Sequence, residues 1–297
     1  MPESGTTRVA VYLDFDNIVI SRYDQVHGRN SFHKDKTKGL EKDRLGLAMV
    51  DLGAIIDFAS SFGTLVLTRA YADWSADVNA AYHGQLVGRA VDLVQLFPAA
   101  AYGKNGADIR LAVDAVEDMF RLPDLTHVVI VGGDSDYIAL AQRCKRLGRY
   151  VVGIGVAGAS SRSLAAACDE FVTYDALPGI PAIATQATEP KKRGQRTSSP
   201  EPGPDPDPDD ESAAGDPQAA ATGLLERALR IGHEKDDADW LHNSAVKAQM
   251  KRMDPSFSER SLGFKSFSDF LRSRGDLVDR DETSTTRLVR LHSDSAS

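Results

Sequence analysis

Ten residues constrain the fold of this chain more than any other stretch: Val128-Val129-Ile130-Val131-Gly132-Gly133-Asp134-Ser135-Asp136-Tyr137. Four consecutive branched aliphatics are too apolar for an exposed surface and too short for a membrane span, so they predict a central strand buried on both faces. Gly132 and Gly133 are expected to let the backbone turn sharply where it leaves the sheet. Asp134 and Asp136 then fall at the carboxyl edge of that strand, where open α/β sheets place their chemistry.

The rest of the chain up to Pro178 supplies the partners such a strand needs. Arg8–Leu13 alternates and is rich in β-branched and aromatic residues, which predicts a first strand ending in Asp14-Phe15-Asp16-Asn17. Strands are also predicted at Thr64–Tyr71 (ending near Asp73), Leu93–Phe97, Tyr150–Ile154 and Glu170–Tyr174. Helical spacing is read over 46–61, 76–89, 107–120, 137–147 and 161–167. Within 107–120 the apolar residues Ile109, Val113, Val116 and Phe120 recur at intervals of three or four. Residues 21–44, with Arg22, Arg29, Lys34, Lys36, Lys38, Lys42 and Arg44, read as a mobile basic loop. Strands alternating with helices predict an α/β fold, a parallel sheet with helices on both faces.

After Pro178 the composition changes. Residues 179–218 carry most of the prolines, a basic patch at 191–196 and an acidic run at 205–211, a composition that cannot bury a core and predicts a disordered linker. Apolar periodicity returns over 219–292: three helical stretches followed by two strand-like pieces predict a small winged-helix-like domain.

The bulk numbers permit this arrangement. The chain has 297 residues, long enough for two domains, and its 42% hydrophobic and 26% charged content is ordinary for a globular protein. No run approaches the roughly 18 apolar residues needed to cross a bilayer, and Met1–Gly5 lacks a signal pattern, so no membrane association and a cytoplasmic address are expected. Cys144 and Cys168 fall in apolar patterns and are expected to be reduced core thiols. The formal net charge of −8 counts mildly against a nucleic-acid binder, but acids neutralised by metal can coexist with local basic patches.

One acid after one strand is ordinarily a cap or turn residue. Here Asp14 and Asp16 follow one strand and Asp134 and Asp136 follow another, while Asp108 starts a helix after a glycine-containing loop. In a parallel sheet all the strands' carboxyl ends lie along one edge, so these acids can meet. Carboxylates gathered without metal repel and raise one another's pKa, whereas a hard divalent cation, Mg²⁺ or Mn²⁺, makes the arrangement favourable. The chemistry this suits is metal-assisted attack of water on a phosphate ester. Asp16 is the member that can equally point away, and Asp114 is expected to be structural.

Four separated motifs, Asp14-Phe15-Asp16-Asn17-Ile18, Arg69-Ala70-Tyr71-Ala72-Asp73-Trp74, Lys104-Asn105-Gly106-Ala107-Asp108 and Gly132–Tyr137, resemble in order those of NYN-domain proteins, the LabA/DUF88 branch of the PIN-like nuclease superfamily. The resemblance spans about 7–177 and implies a PIN-like fold with metal-dependent ribonuclease activity. By position it makes Asp14, Asp108, Asp134 and Asp136 the metal and catalytic acids, with Asn17 and Ser135 orienting them or contacting phosphate. Asp73 matches a family position without an assigned role, and Lys104 would meet a backbone phosphate or remain a solvated lysine.

Residues 219–292 resemble the OST-HTH/LOTUS domain through Trp240-Leu241, Pro255-Ser256-Phe257 and Gly263-Phe264-Lys265-Ser266-Phe267, which implies RNA binding or protein docking. Lys247, Lys251, Arg252, Lys265, Arg272 and Arg274 are candidates for an RNA-facing surface. The domain expectation is thus a nuclease domain over 1–178, a linker over 179–218 and a binding module over 219–292. Two other readings use the same residues. One is a haloacid-dehalogenase-like phosphatase with Asp14 as nucleophile, though Asn17-Ile18 replaces the usual Gly-Thr and no suitable lysine precedes the last motif. The other is an RNA-binding adaptor that no longer cuts.

Overall fold

A computed structural model describes residues 6–97, 106–181, 216–236, 238–281 and 287–292. Strand β1 (Arg8–Asp14) runs into helix α1 (Phe15–His27), followed by α2 (Ser31–Lys36), α3 (Lys42–Leu47) and α4 (Leu52–Ser60). Strand β2 (Thr64–Ala72), short helices α5 (Asp77–Ala80) and α6 (His83–Gly88), strand β3 (Asp92–Gln95) and helix α7 (Gly106–Arg121) come next. Strand β4 (His127–Val131) leads through a 3₁₀ turn at Ser135–Tyr137 into α8 (Ile138–Arg146), and β5 (Tyr150–Gly155), α9 (Arg162–Ala167) and β6 (Glu170–Thr173) complete the sheet.

The six strands are all parallel, in the order β3-β2-β1-β4-β5-β6. Chain order reverses between β1 and β4, so the helices that follow these paired strands, α1 and α8, pack on opposite faces of the sheet and leave a crevice at the strands' carboxyl ends. The strand pleat explains the apolar runs. Val9, Val11 and Leu13 of β1, with Val129 and Val131 of β4, point into a core shared with α1, α4 and α6. Ala10, Tyr12, Val128 and Ile130 point the other way, into a core shared with α7, α8 and α9. Both faces are covered, so these strands are continuous in hydrophobicity rather than alternating.

Three expectations change, the first being the helix read over 76–89, which is two short helices, α5 and α6. Residues 21–44 are not a loop: α1, α2 and α3 fold there around Tyr23, Phe32 and Ala48. Two of the charges are held in place, with Arg22 donating to Asp175 (2.6 Å) and Arg44 to Tyr23 Oη (3.0 Å) and Asp35 (2.9 Å). The few apolar residues are too widely spaced to show a helical period, which is why charge dominates the reading of this stretch. The helix expected over 46–61 is broken into α3 and α4 by Asp51, which caps α4 by accepting from the Ala54 N–H. Helix α7 is present as expected; its buried face carries Leu111, Ala115 and Met119, while Ile109, Val113 and Phe120 are exposed.

The two cysteines are free and buried, and burial pushes both thiols up to about 12, consistent with inert core packing. Among the described residues no helix is long and apolar enough to cross a membrane.

Beyond the sheet, α10 (Pro217–Asp236), strand β7 (Leu241–His242), α11 (Asn243–Met253), α12 (Phe267–Arg272) and the antiparallel strands β8 (Val278–Asp281) and β9 (Leu288–Leu291) form the small second unit. Its core gathers Leu225, Leu229, Val246, Met250, Phe270 and Val289, and β9 lies between β7 and β8, as three helices and a terminal hairpin require. It meets the outer edge of the large sheet at β6. There the Phe171 N–H donates to the Pro255 carbonyl (3.0 Å) and Lys251 pairs with Glu170 (2.6 Å).

Candidate active site

The site is built where β1 and β4 end. Asp14 closes β1 and caps α1, accepting from the Asn17 N–H at 3.2 Å. Asp134 follows β4 and caps the 3₁₀ turn, accepting from the Asp136 N–H (3.2 Å) and lying within reach of Ser135 Oγ (3.4 Å). The Asn17 side-chain oxygen accepts from the Gly133 N–H (3.0 Å), tying the two strand ends together. Gly132 and Gly133 serve close approach rather than an unusual backbone turn, since neither has positive φ. A Cβ at Gly132 would come 3.0 Å from the Tyr137 ring and 3.4 Å from Asp14 Cβ, and one at Gly133 would meet Ser160 at 3.0 Å.

Asp108, in the first turn of α7, completes the group. Carboxylate oxygens of Asp108, Asp134 and Asp136 all lie within 4.8 Å of one another. Asp14 stands behind them, 4% exposed, and is joined through Tyr137. The Tyr137 hydroxyl lies 2.8 Å from Asp14 Oδ2 and 2.7 Å from Asp108 Oδ1. Burial, followed by the neighbouring acids, pushes the Tyr137 pKa upward, so the hydroxyl keeps its single proton. One proton cannot satisfy two ionised carboxylates at hydrogen-bond distance. Burial raises the Asp14 carboxyl to about 7 against the opposing pull of its bonds from Tyr137 and Asn17. In the absence of a cation, a protonated Asp14 donating to Tyr137, which donates to Asp108, resolves the conflict.

This donor set fits a divalent cation such as Mg²⁺ or Mn²⁺. It is all oxygen, it concentrates negative charge in one place, and Asp136 at its mouth is exposed to solvent.

Other expected residues are placed elsewhere. Asp16 turns toward β2, accepting from Asn79 Nδ2 (2.7 Å) and the Asp73 N–H (3.4 Å). Asp73 accepts from Ser75 and from Gln95 Nε2 (2.9 Å), bonds that hold its carboxyl below the usual carboxylate range. Both serve the β2–α5 turn. Asp114 accepts from Tyr71 Oη (3.1 Å) and Arg110 Nε (3.0 Å), a structural placement. Lys104 lies outside the described residues.

In the second unit Lys247 pairs with Glu259 (2.6 Å), Lys251 with Glu170, and Arg252 with Gln249 (2.7 Å). Arg272 pairs with Asp269 (2.9 Å), and Arg274 bonds Gln218 (2.6 Å) and Thr222 (2.7 Å) beneath the core aromatics, which removes Arg274 from any RNA-facing surface. Lys265 does line a surface groove, with Lys247, Arg260, Arg287 and the start of α11. Arg260 and Arg287 escaped the sequence reading because they are far apart in sequence and outside any motif. Tyr137 and Asn79 escaped for a similar reason: a buried aromatic after an acid pair and an asparagine in a turn carry no signature of their partners.

The family model described as the NYN domain matches residues 8–175, the whole of the large sheet and its helices. The chain belongs to the NYN-domain family. NYN domains fall within the PIN-like nuclease superfamily, and the six-stranded parallel sheet with helices on both faces agrees with that fold. The OST-HTH/LOTUS domain, an RNA-binding module, matches residues 217–290. A protein of unknown function from Vibrio parahaemolyticus is 20% identical, with 58% of this chain and 96% of that one covered at a TM-score of 0.43. An uncharacterised protein from Nitrosomonas europaea is 25% identical over 34% of this chain and 92% of that one, at a TM-score of 0.20. No curated protein matches.

Proposed function

We propose that this NYN–LOTUS protein is a metal-dependent ribonuclease that hydrolyses RNA phosphodiester bonds, with the C-terminal module delivering RNA or a protein partner. The observation that carries the reading is the convergence of Asp108, Asp134 and Asp136 in the crevice between β1 and β4, backed by the buried Asp14–Tyr137 pair. Asp108, Asp134 and Asp136 would hold Mg²⁺ or Mn²⁺, with Asp14 behind them. Such a cation, when bound, supplies a water of lowered pKa and stabilises charge building on the phosphoryl oxygens.

The chain's own residues do the rest. Asn17 fixes the β1 and β4 ends so that the acids keep their spacing. Ser135 and the Asp136 N–H orient Asp134. The Tyr137 hydroxyl links Asp14 to Asp108, and Asp136 faces the solvent from which a phosphate backbone would approach.

The phosphatase alternative requires Asp14 to attack as a nucleophile. Its Oδ1 accepts from Asn17, its Oδ2 contacts Tyr137, and the residue is buried, so no oxygen is presented for attack. Substrate choice tests this directly. The protein is expected to cut RNA and to release no phosphate from small phosphomonoesters. Phosphate release with RNA left intact would sink the nuclease reading, and binding of RNA without cutting would make the protein an adaptor.

A further inference from the structure

Helix α7 carries two apolar stripes. Leu111, Ala115 and Met119 face the core, while Ile109 (64% exposed), Val113 (57%) and Phe120 (69%) stand out to solvent with half-buried Val116 between them. Isolated exposed apolar residues are unremarkable, but four aligned along about 17 Å of one helix form a continuous strip. Their order is symmetric: the intervals from 109 to 113 to 116 to 120 read the same in both directions. A strip of that kind is complementary to itself when two copies run antiparallel about a two-fold axis.

We propose that α7 pairs antiparallel with α7 of a second copy of this chain. Ile109 then packs on Phe120 of the second copy and Val113 on Val116, in the four-three spacing of a coiled-coil seam. Charge agrees with this register. Arg110 and Glu117 flank the strip on one side, seven residues apart, and antiparallel pairing sets each Arg110 beside the other copy's Glu117, twice by symmetry. Both side chains are largely exposed, and their present partners are Asp114 and Arg121 on the same helix.

The chain has little else to cover the strip. Residues 182–215 contain one large aliphatic, Ile183, and residues 98–105 one aromatic, Tyr102. RNA is a poor occupant, because the strip offers no cation along its centre. The pairing has a consequence for the candidate site: Asp108 immediately precedes Ile109, so each acid cluster lies at one end of the shared helix pair. A single helix pair buries less than the roughly 1,000 Å² of a tight interface, so the dimer is expected to be weak and concentration-dependent.

Sedimentation of the full chain from a few to about 100 µM tests the proposal. The expected result is a shift from 32.1 kDa toward twice that mass, abolished by Val113→Glu and by Phe120→Glu with the circular dichroism unchanged. Register is read by oxidation: Ile109→Cys combined with Phe120→Cys should cross-link between copies, whereas Ile109→Cys alone should not. The native cysteines are buried and stay silent. A monomer throughout, a dimer that survives Val113→Glu, or cross-linking of Ile109→Cys alone would each overturn the proposal. None of these results depends on RNA cleavage, so the nuclease reading stands or falls separately.

Discussion

Tyr137 and Asp14 form the buried back of the candidate site, joined by a hydrogen bond of 2.8 Å. Asp14 in water would ionise near 3.8, but burial raises it to about 7 in the folded chain. Between those values the folded state binds more protons than the unfolded state, so the metal-free protein loses stability as pH rises through that window. Asp14→Asn replaces the protonated acid with a neutral group of the same shape. Its melting temperature in EDTA is therefore expected to match wild type near pH 4 and to exceed it by on the order of 5 °C at pH 8. Equal melting temperatures across the range would show that folding does not raise the Asp14 carboxyl above its ordinary value. Sequence alone marked Asp14 as an acid at a strand end. It does not show burial, because burial is set by Tyr137 and α7 folding over it from more than ninety residues away.

At the scale of elements, the strand–turn–helix units were readable because their signals are local. The Val128–Val131 run and the Arg8–Leu13 alternation both became central strands, and each acid pair sits where its strand ends. Placement along helix faces was less readable. The spacing of Ile109, Val113, Val116 and Phe120 indicates a helix correctly but does not say which face is buried, because Leu111, Ala115 and Met119 also recur at helical intervals on another face. The 21–44 stretch failed for the opposite reason, since Tyr23 and Phe32 form a small core through contacts that no local period announces. The bond from the Gly133 N–H to Asn17 is a contact of this same non-local kind, and it sets the spacing of the acids. Asn17→Ala leaves that N–H without its partner and is expected to cost about 1–3 kcal/mol in chemical denaturation, together with weaker cleavage. If stability is unchanged, the Asn17 link does not position the loop.

For the molecule as a whole, a net charge of −8 and the proposed affinity for RNA are reconciled by locality. Lys265, Arg260 and Arg287 gather around one groove of the C-terminal unit, while Lys251 is engaged by Glu170 of the large sheet. Lys265→Glu with Arg260→Glu is expected to weaken RNA binding at least several-fold and to flatten its salt dependence, since each lost phosphate contact removes about one unit of slope. Lys251→Ala should change affinity little. Fluorescence anisotropy across a salt series reads both, and the reverse ranking would move the RNA surface to the β6 edge. Composition divides the chain at the proline- and acid-rich stretch after Pro178, which has too few apolar residues to fill a core. The contact between the units rests on Pro255 and Lys251 meeting β6, which no sequence pattern signals.

The central claim is that Asp108, Asp134 and Asp136 act together on RNA with a divalent cation. Its most direct test is cleavage of end-labelled single-stranded and structured RNA by the full chain, with Mn²⁺ or Mg²⁺ and with EDTA, beside Asp134→Asn and Asp136→Asn. Cleavage by wild type with either cation, lost with EDTA and reduced at least ~100-fold in each variant, is the predicted result. Intact RNA under both cations, or cutting that persists in Asp134→Asn and under chelation, would contradict it.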